Sequence, residues 1–227
     1  MKKSEIKEDL LKLPIRIDSK VNLWLVLADF KPATEVLVKE TIFNKEERTE
    51  SASEKDFNKV VSFIKNLGLN HRIRRQYNSG WRKIVVNGQT LKINVTFIRD
   101  VILVSKHEES VDQLYSCTTD LDRESESAHY QLGTLFGFPE KAVKEYAFWM
   151  RWYTTDKYFP KTLSRSIDTH KMLQDCYWEP YVQYIVRKGH EKEDSLVAKH
   201  WADRIRKDLP ELAKKFEKEV GRARFVK

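Results

Sequence analysis

The densest charged chemistry of the chain lies in HRIRRQYNSGWRK, His71 to Lys83, which holds Arg72, Arg74, Arg75, Arg82 and Lys83 and no acid. Guanidinium groups make bidentate hydrogen bonds to phosphate oxygens. Tyr77 and Trp81 are interleaved with them, and exposed rings stack on bases. These residue types at this spacing suit an interface for DNA or RNA. They equally suit a hairpin edge defended by positive charge against pairing with another strand. In a strand Arg72 and Arg74 share one face while Ile73 and Arg75 share the other. One arginine then points toward the core or an edge, where it needs an anionic partner. The phosphate reading fails if the guanidiniums are taken up one by one by acids of the chain, such as Glu46, Glu47 or Asp56.

Nucleophilic and metal chemistry is sparser. Asp168-Thr169-His170 forms a tight local group with Asp175 and Cys176 nearby. A Cys–His pair requires the two side chains within hydrogen-bond reach, and on one helix His170 and Cys176 fall on opposed faces. His129, His170, His190 and His200 never show the i, i+4 spacing of a helical metal site. No HExxH, GxSxG, P-loop or GxGxxG pattern occurs. No catalytic residue, metal ligand or cofactor is assigned. An enzyme with a pocket near Asp168 and His170 stands as one alternative.

The stretch YAFWMRWYTTDKYF, Tyr146 to Phe159, concentrates aromatic rings. Such rings either line a pocket for a planar ligand or pack a core. Arg151 among them must be stacked or salt-bridged. A second alternative follows: an assembly component that forms homo-oligomers through aromatic helices, with a larger apolar patch than monomers expose. The tail from Arg206 to Lys227 is basic and ends GRARFVK, either a further nucleic-acid contact or a solvated helix face.

The elements that must position these residues follow from periodicity. Ile6, Leu10 and Leu13 repeat at helical spacing before Pro14. The apolar run Leu23 to Asp29 has the length of a buried strand, and Thr34 to Phe43 reads as a second strand. NKEERTESA, 44–52, reads as a polar connection. Ser53 with Asp56 forms a capping box before the stripe Phe57, Val60, Val61, Ile64 and Leu67, and Gly68 stops that helix. Four short strands follow, at Ile73–Tyr77, Trp81–Val86, Leu91–Ile98 and Val101–Ser105, with Asn87-Gly88 as a hairpin turn and Asp100 as another turn. Helices then run over Glu108–Cys117, Ser125–Phe136, Pro139–Tyr153, Ser166–Tyr177, Pro180–Lys188, Asp194–Leu209 and Glu211–Val220. The helix from Pro139 is apolar nearly all round, which places it centrally.

The fold class expected is α+β: a mostly antiparallel N-terminal sheet with one or two helices, then an all-helical C-terminal half. A boundary near 105–125 divides the chain into 1–105 and 106–227, with Thr118 to Ser127 as a linker, unless one continuous domain spans both. Within His129 to Ala147, Leu132-Gly133 followed by Gly137-Phe138-Pro139 reads as a helical corner. Gly133 permits close helix approach, Gly137 takes a left-handed cap and Pro139 opens the next helix. The run LGTLFGFPEKAV, with VILVSKHEESVDQL upstream, resembles an archaeal family known as domain of unknown function 483 over about residues 100–147. In that family two cysteines follow the Gly-aromatic-Pro, where this chain has Lys141 and Ala142. The resemblance implies an archaeal or archaeal-virus origin and carries no activity.

Formal net charge is +8, which favours a polyanionic partner. The N-terminal MKKSEIKEDLLKLP lacks the apolar core of a signal peptide. No apolar run reaches the roughly 20 residues that cross a bilayer. Cys117 and Cys176 form neither a disulfide framework nor a CxxC pair. The expectation is a basic cytoplasmic protein without membrane contact, with DNA, RNA or a second copy of itself as partner.

Overall fold

The computed structural model describes residues 2–44, 47–86, 89–119, 125–150, 160–164 and 166–225, with backbone alone at 44, 47–49, 78, 80–86, 89–95, 166–167 and 221–225. Helices α1 (Lys3–Lys12) and α2 (Ile17–Leu27) lead into strands β1 (Ala33–Asn44) and β2 (Glu47–Glu50). Helix α3 (Glu54–Asn66) is followed by the long strands β3 (Asn70–Val86) and β4 (Gln89–Ser105). The rest is helical: α4 (Glu108–Thr119), α5 (Glu126–Leu135), α6 (Glu140–Met150), α7 (Ser166–Leu173), a 3-10 turn at Glu179–Tyr181, α8 (Glu191–Asp194), α9 (Leu196–Asp208) and α10 (Pro210–Phe225). The architecture is α+β. No helix among the described residues is long and apolar enough to cross a membrane.

The sheet is antiparallel in the order β2-β1-β4-β3. Its two faces follow from the period-2 alternation of strand side chains. Ala33, Val101 and Leu103 pack with Val111, Leu114 and Leu135 of α4 and α5 on one face. Val36, Ile102 and Val104 join α2, α3, α9 and α10 in the larger cluster on the other. That cluster runs from Leu10 to Phe216, so both halves of the chain contribute to one core. Asp208 ties them further. Its carboxylate accepts from the Trp24 indole N–H at 3.1 Å and pairs with Arg204 at 2.7 Å.

Several elements differ from the periodicity reading. Leu23 to Leu27 belongs to a helix rather than a strand, with Ala28 and Asp29 in the turn that follows, because α2 is wrapped on nearly all sides; Leu23, Trp24, Leu25 and Val26 are all buried. An apolar run buried all round carries no period to separate the two conformations. The stretch read as a connection contains β2, which pairs with β1 from Thr41↔Glu50 to Asn44↔Glu47. The four short strands after α3 are two strands of 17 residues each. Asp100 makes no turn: it sits inside β4 opposite Arg75 and Lys39. The expected helix Pro180–Lys188 is absent beyond its 3-10 turn, and Leu163 instead bridges Arg187.

Other local readings hold. The Ser53 hydroxyl accepts from the Asp56 N–H at 3.2 Å, and the Ser53 N–H donates to the Asp56 carboxylate at 3.1 Å, closing the capping box. The α5–α6 corner forms with Gly137 at φ +70. A Cβ on Gly133 would lie 2.6 Å from Val143 Cγ2, so glycine alone allows α5 and α6 this close. The aromatic helix α6 is not central. Its buried positions are Ala142, Val143 and Ala147, while Phe148 is 46% exposed. The small residues face the neighbours and the large rings lie on the flank; residues 151–159, including Arg151, fall outside the described residues. So do 120–124 of the expected linker and Asn87-Gly88.

Candidate nucleic-acid interface on the long hairpin

Pairing of β1 with β4 ends at Phe43↔Thr96, whereas β3 and β4 stay paired to Val86↔Gln89. Past Thr96 the two strands therefore continue as a ribbon, from Gly80↔Val95 to the end. At about 3.3 Å per residue this ribbon is ~20 Å long.

A belt of alternating charge crosses the sheet five residue pairs before the ribbon starts. A bulge between Leu37 and Lys39 shifts the register of β1 and sets Lys39 opposite Asp100. Lys39 pairs with Glu50 of β2 at 3.0 Å. Asp100 accepts from Arg75 Nε at 2.6 Å and from Nη2 at 3.3 Å. This hydrogen-bonded carboxylate raises the Arg75 pKa above its ordinary value. On the opposite face Arg99 Nε donates to Glu40 at 2.7 Å, and the Arg99 guanidinium lies 4.6 Å from the Phe97 ring centroid.

Arg72, Arg74 and Arg75 of the basic cluster pair with acids of the chain outside the expected set; Glu46 and the side chains of Glu47 and Arg82 lie outside the described residues. Arg72 reaches Asp112 at 2.6 Å and Glu108 at 3.5 Å, both on α4. Arg74 donates to Glu35 at 2.8 Å and to the Thr118 carbonyl at 2.9 Å. Its side chain is only 7% exposed. Burial pushes the Glu35 carboxyl upward and Arg74 opposes the shift. Arg74 thus serves the sheet and α4, and the guanidiniums of Arg72 and Arg75 already hold carboxylates. The guanidiniums of these three are thus taken up one by one by acids of the chain. The remaining residues lie further out. Tyr77 is 68% exposed, on the Arg75 face. Trp81, Arg82 and Lys83 occupy register positions in the ribbon opposite Asn94, Ile93 and Lys92. The strand pairing thus brings Lys92 beside the cluster. Its signal in the sequence was the two-residue spacing between β3 and β4, which puts Lys83 and Lys92 in register.

The other candidates separate. His170 Nδ1 pairs with Glu179 of the 3-10 turn; Asp168 is exposed and Cys176 half-buried. His190 Nδ1 lies 3.0 Å from Glu193, and His129 packs edge-on to Tyr146 at 5.7 Å. The Cys117 thiol donates to the Gln131 side-chain oxygen at 2.8 Å. Among the described residues no group of His, Cys, Asp and Glu has metal-holding geometry. In the basic tail Arg206 grips Glu217 at 2.9 and 3.0 Å and covers the Tyr177 ring at 4.1 Å, acting within the helical layer. Lys31 is a charge that the sequence reading passed over. It is 5% exposed, donates to Asn22 Oδ1 at 2.7 Å and lies 4.1 Å from the Trp201 ring centroid. Burial pushes its pKa down to about 7. No family model, no curated protein and no solved structure matches this chain.

Proposed function

We propose that the protein binds nucleic acid with the β3–β4 ribbon, using Arg82, Lys83 and Lys92 for phosphates and Tyr77 and Trp81 for bases. The observation that carries the reading is the ribbon itself: two paired strands running past the last β1 partner, within a segment that has no Asp or Glu between Asp56 and Asp100. A two-stranded ribbon has the cross-section that the major groove of B-DNA admits. An acid-free charge pattern on it attracts phosphate along its whole length. Arg72 and Arg75 lie eight and five residue pairs before the ribbon starts, and their charges are offset by Asp112, Glu108 and Asp100.

The test is binding to single- and double-stranded DNA and RNA across a salt series. Wild type is compared with Arg82→Ala/Lys83→Ala/Lys92→Ala and, separately, with Arg72→Ala/Arg75→Ala. On duplex DNA the ribbon variant should flatten the salt slope by roughly 2–3, close to 0.9 per phosphate contact removed. The Arg72→Ala/Arg75→Ala variant should change it less. No binding at low salt, or equal slopes for wild type and the ribbon variant, refutes the reading.

A further inference from the structure

A cavity of about 280 Å³ opens at the α5–α6 corner, away from the ribbon. Its walls come from α5, α6 and the segment 183–185, and include His129, Phe136, Phe138, Tyr146, Gln183 and Tyr184. The corner creates it. Gly133 lets α6 approach α5 at Val143, and the chain reversal at Gly137 swings Phe138 across to Tyr184, their ring centroids 5.0 Å apart. Phe136 stacks next to Phe138 at 5.6 Å. On the other side His129 and Tyr146 meet edge to face. The cavity is thus bounded by aromatic rings on two sides.

Three properties define what fits. None of the described lining residues is Asp, Glu, Lys or Arg, so a charged ligand would lose its hydration with no opposite charge to replace it. Apolar cavities of about 150 Å³ take up benzene, so the present volume suits roughly two fused rings. His129, Gln183, Tyr146 and Tyr184 add polar side chains to a mostly apolar lining, the mixture that orients small ligands in protein pockets.

We propose that this cavity binds an uncharged, planar two-ring heterocycle. The proposal is independent of the ribbon and is tested with two probes of that class, indole and adenine. Binding to the full chain is followed by protein NMR shifts and calorimetry. A ligand of ~10 non-hydrogen atoms in such a site binds with Kd of about 0.05–1 mM. At least one probe should bind in this range and shift the His129 and Gln183 signals. Ala142→Leu narrows the wall, because Ala142 lines the cavity and is buried, and should weaken binding at least ~10-fold. Gln183 is exposed at its outer side, so Gln183→Trp obstructs the cavity without entering the core and serves if Ala142→Leu does not fold. Absence of binding by both probes overturns the proposal. So do shifts that map elsewhere, or unchanged affinity in a folded obstructed variant.

Discussion

Lys31 makes the stability of this protein depend on alkaline pH, in a direction opposite to that of a surface lysine gaining a partner. Its ammonium is buried with the Asn22 carbonyl oxygen as acceptor and the Trp201 face beside it. These contacts do not replace its lost hydration, and its pKa falls from 10.5 to about 7. Below about pH 7 both the folded and the unfolded chain carry the proton, and the fold bears the full cost of a buried cation. Between about 7 and 10.5 the folded state has released the proton while the unfolded state keeps it. The unfolded state then binds more protons, so stability rises with pH, at a slope approaching about 1.4 kcal/mol per unit. From pH 7 to 9 the gain attributable to Lys31 is about 2 kcal/mol. Lys31→Met removes the titration. At pH 6 it should also be more stable than wild type by ~1–4 kcal/mol, as when other buried charges are replaced by apolar side chains, despite leaving Asn22 Oδ1 without this donor. The assay is urea unfolding followed by tryptophan fluorescence from pH 6 to 10 on both proteins. The difference between them isolates Lys31 from every other titrating group. A difference that is flat across pH 7–9.5 would refute the reasoning.

Two further outcomes test the packing that supports the ribbon and the cavity. Arg74→Ala leaves the Glu35 carboxylate without its guanidinium and should cost about 3–5 kcal/mol by urea unfolding; Arg74→Met with Glu35→Gln should recover a large part of that loss. Gly133→Ala drives a methyl to 2.6 Å from Val143 Cγ2 and should lower stability by ~1–3 kcal/mol despite alanine's helix propensity. Adding Val143→Ala should relieve the overlap, seen as a partial return of the thermal midpoint above that of Gly133→Ala alone.

Features set by neighbours in the chain were legible in the sequence. Ser53 and Asp56 are three residues apart and close their capping box through local bonds. Gly133, Gly137 and Pro139 define the α5–α6 corner for the same reason. The apolar stripe of α3 and the pairing of β3 with β4 across a two-residue gap likewise rest on period and spacing. Tertiary structure decided what depends on remote partners. Residues 23–27 became helix because helices and strands from both halves of the chain enclose them, which erases the periodic signal. Arg72, Arg74 and Arg75 met Asp112, Glu35 and Asp100, acids that no local pattern links to them. Hydrogen bonding between strands brought Lys92 beside Lys83. Lys31 gave no sign in the sequence that it would be buried, since desolvation is a property of what surrounds a residue and not of its type.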